Sequence, residues 1–357
     1  MNTDPIFIVG YMHSGTFLLV DILRRNPSVF TPDGETKFFD FLPSIRRAYP
    51  DLADDKTYRR YILFLCRVVQ NGLDPNLIGQ ENGPTLRGLE TRDIEQVMAR
   101  APRSHVQLFP VVFDTYARIA GKIRWLEKTP SHIYHADEIL SVVPNARIVE
   151  IVRDPRAVLA SKKVRRQSVW TERYKEDRRL HKHFEKAFNP VWDSLSWKSA
   201  VRAGYQGKAR HANQWLTVSY EELVADQEGQ VMQVCEFLQL PYDTLMLEVT
   251  LHNSAYWGNT PAKGISAEYV AKWRKVLTPG ELRVIQLLLR REITAAGYQL
   301  ETVRGGRARA VVIMLESIPE FLQRLYHRYK LYGASYLWTI IAGYWHRLVK
   351  LLDAGNA

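Results

Sequence analysis

Residues 10–19 read GYMHSGTFLL and follow the apolar run PIFIV. Gly10 and Gly15 have the spacing of a loop that turns successive backbone N–H groups toward one phosphate, at the positive end of a helix. The hydroxyls of Ser14 and Thr16 add donors. A triphosphate hydrolase of this shape also needs a lysine on the β/γ-phosphates and a metal-bound hydroxyl directly after it. Thr16 and Phe17 stand at those two places, and His13 lies in the middle of the loop. The loop therefore suits a phosphate group handled without a metal. Glycine spacing alone also serves packing, but a strand before and a helix after favour the phosphate.

Two further stretches carry chemistry. Glu35, in GETKFFDF (34–41), follows the first helix closely, where the C-terminal edge of a sheet would hold its ligand crevice. A carboxylate beside a phosphate site is costly unless it has a task, such as taking a proton from a nucleophile. The alternative is a surface glutamate at a helix start. Arg153, in RIVEIVRDPRAVLAS, ends an apolar strand, and Ser161 lies about two helical turns further on. Together they could grip a second phosphate; the alternative is an Arg153–Asp154 turn at the surface.

These residues need a scaffold that brings strand ends together. IFIVG, KIRWLEKTP, ARIVEIVRDP and NQWLTVSYEEL read as strands, and helical stretches such as SGTFLLVDILRRNP and RAVLASKKVRR follow them. Ser14 is expected near the N-cap of the first helix. SHIYHADEILSVVP is expected to be helical throughout. The alternation of strand and helix predicts an α/β fold with a central, mostly parallel sheet flanked by helices. DKTYRRYILFLCRVVQNG and SHVQLFPVVFDTYARIAG have apolar residues at helical spacing and are predicted to pack on the sheet or form an acceptor pocket. Thr278, Pro279 and Glu281 mark the start of another helix, with a capping box, and Gly297 marks its end.

Composition narrows the function classes. Of 357 residues, 46% are hydrophobic and 24% charged, which excludes a disordered chain. The net charge of +11 favours anionic partners. Cys66 and Cys235 lie in apolar helical runs, so buried thiols are expected rather than a disulfide framework or a zinc site. His132, His135, His181 and His183 do not make a metal set, and no metal is expected. No basic leader with an apolar core precedes the first strand, so a cytoplasmic setting is expected. Residues 162–186 hold ten Lys/Arg against four acids, a net +6, as an anion-facing surface or a solvated helix face.

Taken together, the chain resembles sulfotransferases that use 3′-phosphoadenosine 5′-phosphosulfate (PAPS), over about its first 300 residues. FIVGYMHSGTFLL resembles their 5′-phosphosulfate loop, and ARIVEIVRDPRAVLAS their 3′-phosphate motif. GETKFFDF resembles the glutamate segment of the glycan and tyrosylprotein branches. EKTP (127–130), VSYEEL and PAKGISAEYVAKWRKVLTPGE resemble three further segments. The resemblance implies a P-loop-like sulfotransferase fold and in-line transfer of the sulfuryl group to a hydroxyl or amine. It implies Glu35 as the base and Lys128 as the cation on the sulfuryl oxygens. It implies Gly10, His13, Ser14, Gly15, Thr16 and Phe17 around the 5′-phosphate, with donation by the amides of residues 13–17. Arg153 and Ser161 would hold the 3′-phosphate, Tyr220 would approach the adenine, and Lys263 and Gly264 would belong to a closing loop.

One departure stands out: the family usually carries lysine or arginine at the position of His13, touching the leaving-group oxygen. An imidazolium could take that place, with activity falling as pH rises past its pKa; otherwise Lys128 or Lys37 has taken the role. The competing classes are a P-loop small-molecule or nucleoside kinase, which Thr16 and Phe17 oppose, and a non-catalytic basic protein binding membrane or nucleic acid. Nucleic acid is not expected, because aromatic residues are not interleaved with Lys/Arg in a recognisable RNA-binding motif. The expected acceptor is a small molecule, a glycan or a lipid. Residues 1–302 are read as the sulfotransferase domain and 303–357 as a basic, aromatic-rich helical extension. That extension suits peripheral membrane contact, a dimer contact or a lid.

Overall fold

A computed structural model describes residues 4–80, 86–166, 172, 175–177, 181, 188–249 and 270–353. Strand β1 (Ile6–Gly10) leads into α1 (Thr16–Leu23) and the short β2 (Val29–Phe30). Helices α2 (Phe38–Ala48), α3 (Asp55–Asn71), α4 (Thr91–Arg100) and α5 (Leu108–Ile119) then intervene before β3 (Arg124–Lys128). After α6 (Ala136–Val142), β4 (Arg147–Val152) runs into α7 (Pro155–Val164). The long α8 (Pro190–Arg210) precedes β5 (Trp215–Ser219), α9 (Tyr220–Ala225) and α10 (Gln227–Leu238). The described chain closes with α11 (Trp273–Val276), α12 (Pro279–Ala295) and α13 (Arg307–Asp353).

The sheet order is β2-β3-β1-β4-β5, and every pairing is parallel. A parallel sheet is covered on both faces, so its strands read as continuous apolar runs. β1 shows this directly: Phe7 and Val9 enter one core cluster, and Ile6 and Ile8 the other. Helices α2, α3 and α5 pack into the first cluster, as their apolar spacing predicts. Because β1 is central and the chain passes over it between β3 and β4, the C-terminal ends of β3, β1 and β4 lie side by side. Lys128 ends β3 opposite Ile8, and Gly10 pairs with Ile151 near the end of β4. That edge is where an open α/β sheet forms its ligand crevice.

Two local expectations change. Gly15, in the left-handed region at φ 107°, caps α1 in place of Ser14; glycine takes that conformation without a Cβ penalty. Residues Pro130–His135 form a 3₁₀ turn before α6 begins. From Arg307 to Asp353 the C-terminal extension is a single helix, with Pro319 inside it. The capping box of α12 forms as expected, with Thr278 Oγ1 accepting from the Glu281 amide and Glu281 from the Thr278 amide.

Candidate active site

The β1–α1 loop has left-handed backbone at His13 (φ 68°) as well as at Gly15. A bulky residue held there is strained and persists only when its surroundings hold it. Arg153 Nη1 donates to the His13 carbonyl at 3.3 Å, and the His13 Nδ1 lies 3.4 Å from Ser161 Oγ. His13 thus joins the loop to the Arg153–Ser161 segment, and the two stretches expected to hold phosphates meet at one residue. The Arg153 guanidinium stacks 3.9 Å above the Tyr220 ring. On that ring's edge sits Gly15, where a Cβ would meet Tyr220 Cδ2 at 2.5 Å. Tyr220 is buried and supports both the loop and Arg153.

Of the loop amides expected to donate to phosphate, that of Ser14 is already spent on the Tyr11 carbonyl at 3.1 Å. The amides of Thr16 and Phe17 open α1, where a helix has no internal acceptor for them. Ser14 and Thr16 side chains are buried beneath the loop, while Phe17 is exposed. Phe17 has a task that the sequence left open: its ring lies 3.4 Å from Lys128 Nζ. Where a metal-binding loop would place a hydroxyl, an aromatic face supports an ammonium group.

That ammonium meets the candidate base. Lys128 Nζ donates to Glu35 Oε1 at 2.8 Å, and Lys37 Nζ stands 3.9 Å from Glu35 Oε2. Burial lowers the pKa of Lys128, and the Glu35 carboxylate opposes that shift. Glu35 also borders a cleft of about 440 Å³, with Lys37, Asn71, Leu73 and Asp74 along its walls. Gly34 permits this arrangement, since a Cβ there would come within 2.7 Å of the Asn71 carbonyl and Gly72. Neither Arg153 nor Asp154 is a surface residue: both are buried, and Asp154 pairs with Arg156 at 2.7 Å.

A buried network beneath the ion pair was not singled out by the motifs. Glu127 Oε1 accepts from Thr36 Oγ1 at 2.7 Å and from Thr129 Oγ1 at 2.6 Å, and Oε2 lies 2.9 Å from His132 Nδ1. The Lys37 amide donates to Thr129 Oγ1 at 3.1 Å. Burial would raise the Glu127 pKa, but His132 and these hydrogen bonds outweigh it and hold it below the carboxylate norm. Glu127 thereby fastens the two residues that follow Glu35, Thr36 directly and Lys37 through Thr129, and it adjoins Lys128. A glutamate within the short strand RWLEK was the sequence signal available. His132, read as unremarkable, belongs to this network, and His135 pairs instead with Asp40 and Glu138. Lys263 and Gly264 lie outside the described residues.

The surroundings of His13 disfavour its imidazolium form. Burial lowers its pKa well below the usual value, and Lys162, Arg166, Arg165 and Arg153 lower it further. Asp193 compensates Lys162 at 2.6 Å. An anion placed among these cations would raise the His13 pKa, so its binding and protonation would reinforce each other as pH falls through the pKa of the occupied state. Calorimetry of adenosine 3′,5′-bisphosphate in two buffers of different ionisation enthalpy counts the protons taken up. Uptake is expected to be larger in the wild type than in His13→Gln. Equal counts would leave His13 a neutral donor.

The family model described as "Sulfotransferase family" matches residues 5–244, more than half of the chain. An omega-hydroxy-beta-dihydromenaquinone-9 sulfotransferase, Stf3, from Mycobacterium bovis and from Mycobacterium tuberculosis is 26% identical over 255 residues. That match covers 66% of this chain and 63% of the relative, so the chain spans less than two thirds of the relative's length. A solved sulfotransferase domain from the curacin biosynthetic pathway superposes with a TM-score of 0.50 at 15% identity, over 84% of this chain and 99% of that one. At that identity the likeness concerns the fold.

Proposed function

The chain belongs to the sulfotransferase family, and from that premise we propose that it transfers the sulfuryl group of PAPS to a hydroxyl or amine of a small-molecule, glycan or lipid acceptor. The observation that carries this reading is the Lys128–Glu35 pair at 2.8 Å, placed beside a phosphate loop whose metal-hydroxyl position is Phe17.

The acceptor enters by the cleft along Asn71, Leu73 and Asp74 and presents its hydroxyl to Glu35. Glu35 takes the proton as the acceptor oxygen bonds to sulfur. The bond from sulfur to the bridging oxygen breaks, and its electron pair leaves with the 5′-phosphate. Lys128 exchanges its partner, from the Glu35 carboxylate to the sulfuryl oxygens, which frees the base in the same movement. Fixed donors aimed at developing charge lower the barrier because they need no reorganisation. Those donors are the first amides of α1 and His13 at the leaving phosphate. Arg153 and Ser161 hold the 3′-phosphate and give preference to PAPS over nucleotides that lack it.

Calorimetry with adenosine 3′,5′-bisphosphate and with ATP–magnesium tests the donor. Binding of the bisphosphate without metal is expected. Arg153→Ala is expected to weaken it about 10–150-fold, the loss of one charge-assisted contact of about 1.5–3 kcal/mol. Preference for ATP–magnesium would overturn the reading in favour of a kinase. Labelled PAPS offered with a panel of sugars, lipids, phenols and peptides identifies the acceptor.

A further inference from the structure

Among its described side chains up to Lys330, helix α13 buries one side and exposes the other. Ile313 and Ser317 are buried, Phe321 stacks on Trp192 of α8 at 4.5 Å, and Trp192 Nε1 donates to the Ser317 carbonyl at 2.7 Å. The opposite side carries Val311, Leu315, Ile318, Leu322, Tyr326 and Tyr329 at intervals of four, three, four, four and three residues. That spacing puts all six on one helical face. Their exposure runs from 48% at Tyr329 to 72% at Leu315. Single exposed apolar residues are ordinary, but a continuous stripe of this kind marks an interaction surface.

The charges around the stripe decide between occupants. From Arg304 to the end the sequence has eight Lys/Arg and three acids, a net +5, on a chain of net +11. Two of those acids are engaged: Glu316 lies 3.5 Å from Arg309, and Glu320 accepts from Asn189 Nδ2 at 2.6 Å. Arg307 and Lys330 remain exposed near the two ends of the stripe. Pairing with a second copy would bring two +5 tails together and is opposed by their repulsion, although the spacing alone would allow it. An anionic bilayer attracts the same charge. Tyrosines on the stripe suit the headgroup region, where a ring has an apolar body and a polar tip. No helix among the described residues is long and apolar enough to cross a membrane. We propose that the Val311–Tyr329 face of α13 lies in the interface of an anionic lipid bilayer, as a peripheral anchor.

The test is flotation of the full chain with vesicles of phosphatidylcholine doped with phosphatidylglycerol, and with phosphatidylcholine alone. Retention on the anionic vesicles, reduced by added salt, is expected. The double substitution Leu315→Glu with Leu322→Glu is expected to reduce retention by about tenfold or more, since it removes two buried apolar side chains and adds two repelled charges. Both sites are exposed, so the melting temperature and bisphosphate affinity of the variant should equal those of the wild type. Failure of the wild type to float, or equal flotation of the variant, overturns the proposal. A concentration-dependent dimer that the double substitution abolishes, without vesicle binding, would assign the face to a second copy. None of these outcomes depends on whether the chain transfers a sulfuryl group.

Discussion

Glu35→Gln is expected to lower kcat for sulfuryl transfer by about 10²–10⁴-fold, the range that a positioned general base contributes. The amide keeps the size of the side chain and a hydrogen-bond acceptor for Lys128, so the site should hold its shape. Its affinity for adenosine 3′,5′-bisphosphate should stay within about twofold of the wild type, because Glu35 borders the cleft proposed for the acceptor and the proposed nucleotide contacts lie at the loop and at Arg153. Transfer to an acceptor identified with labelled PAPS gives kcat, and calorimetry gives the affinity. A variant with more than a tenth of wild-type kcat would remove Glu35 as base. A variant that loses bisphosphate affinity as strongly as kcat would make it a structural partner of Lys128 instead.

The second large effect belongs to Glu127. Glu127→Ala leaves Thr36, Thr129 and His132 without their shared acceptor in a fully buried place. Breaking a buried polar network from one side costs about 3–5 kcal/mol. The melting temperature should fall sharply, and activity would then report folding more than chemistry. Glu127→Gln separates the two. Its amide oxygen can still accept from Thr36 and Thr129, so most of the stability should remain. The side facing His132 Nδ1 changes from acceptor to donor, and the clamp on the segment holding Glu35 loosens. A fall in kcat of about tenfold, with bisphosphate affinity unchanged, is expected from so small a misplacement of the base. Wild-type kcat in Glu127→Gln would show that Glu127 serves stability alone.

Phe17 illustrates how far the sequence could be read. Its type excluded a metal hydroxyl, and that much followed from position in the loop. Its use as a platform for Lys128 could not, because the two residues are 111 positions apart and meet through the pairing of β1 with β3. The resemblance named Glu35 and Lys128 separately. Their 2.8 Å contact, which ties the proposed base to the proposed sulfuryl cation, appears with the fold. His13 went the other way. The residue was identified from the loop, yet its pKa is lowered by burial and by cations near the end of α7 and Arg153, which the pairing of β1 with β4 brings around it.

By itself the sequence determined the local elements: the strand–loop–helix at Gly10–Thr16, the cap of α12 and the parallel α/β alternation. Such features depend on neighbours within a turn or two, where dihedral preference, capping and periodicity act. Tertiary structure decided which of these residues touch. Thr36 reaches Glu127 across 91 positions, Ser161 reaches His13 across 148, and α13 turns one face to α8 and the other outward. Those contacts follow from strand order and from which face each helix buries. Both are settled by the packing of the whole core, beyond the reach of any short stretch of sequence.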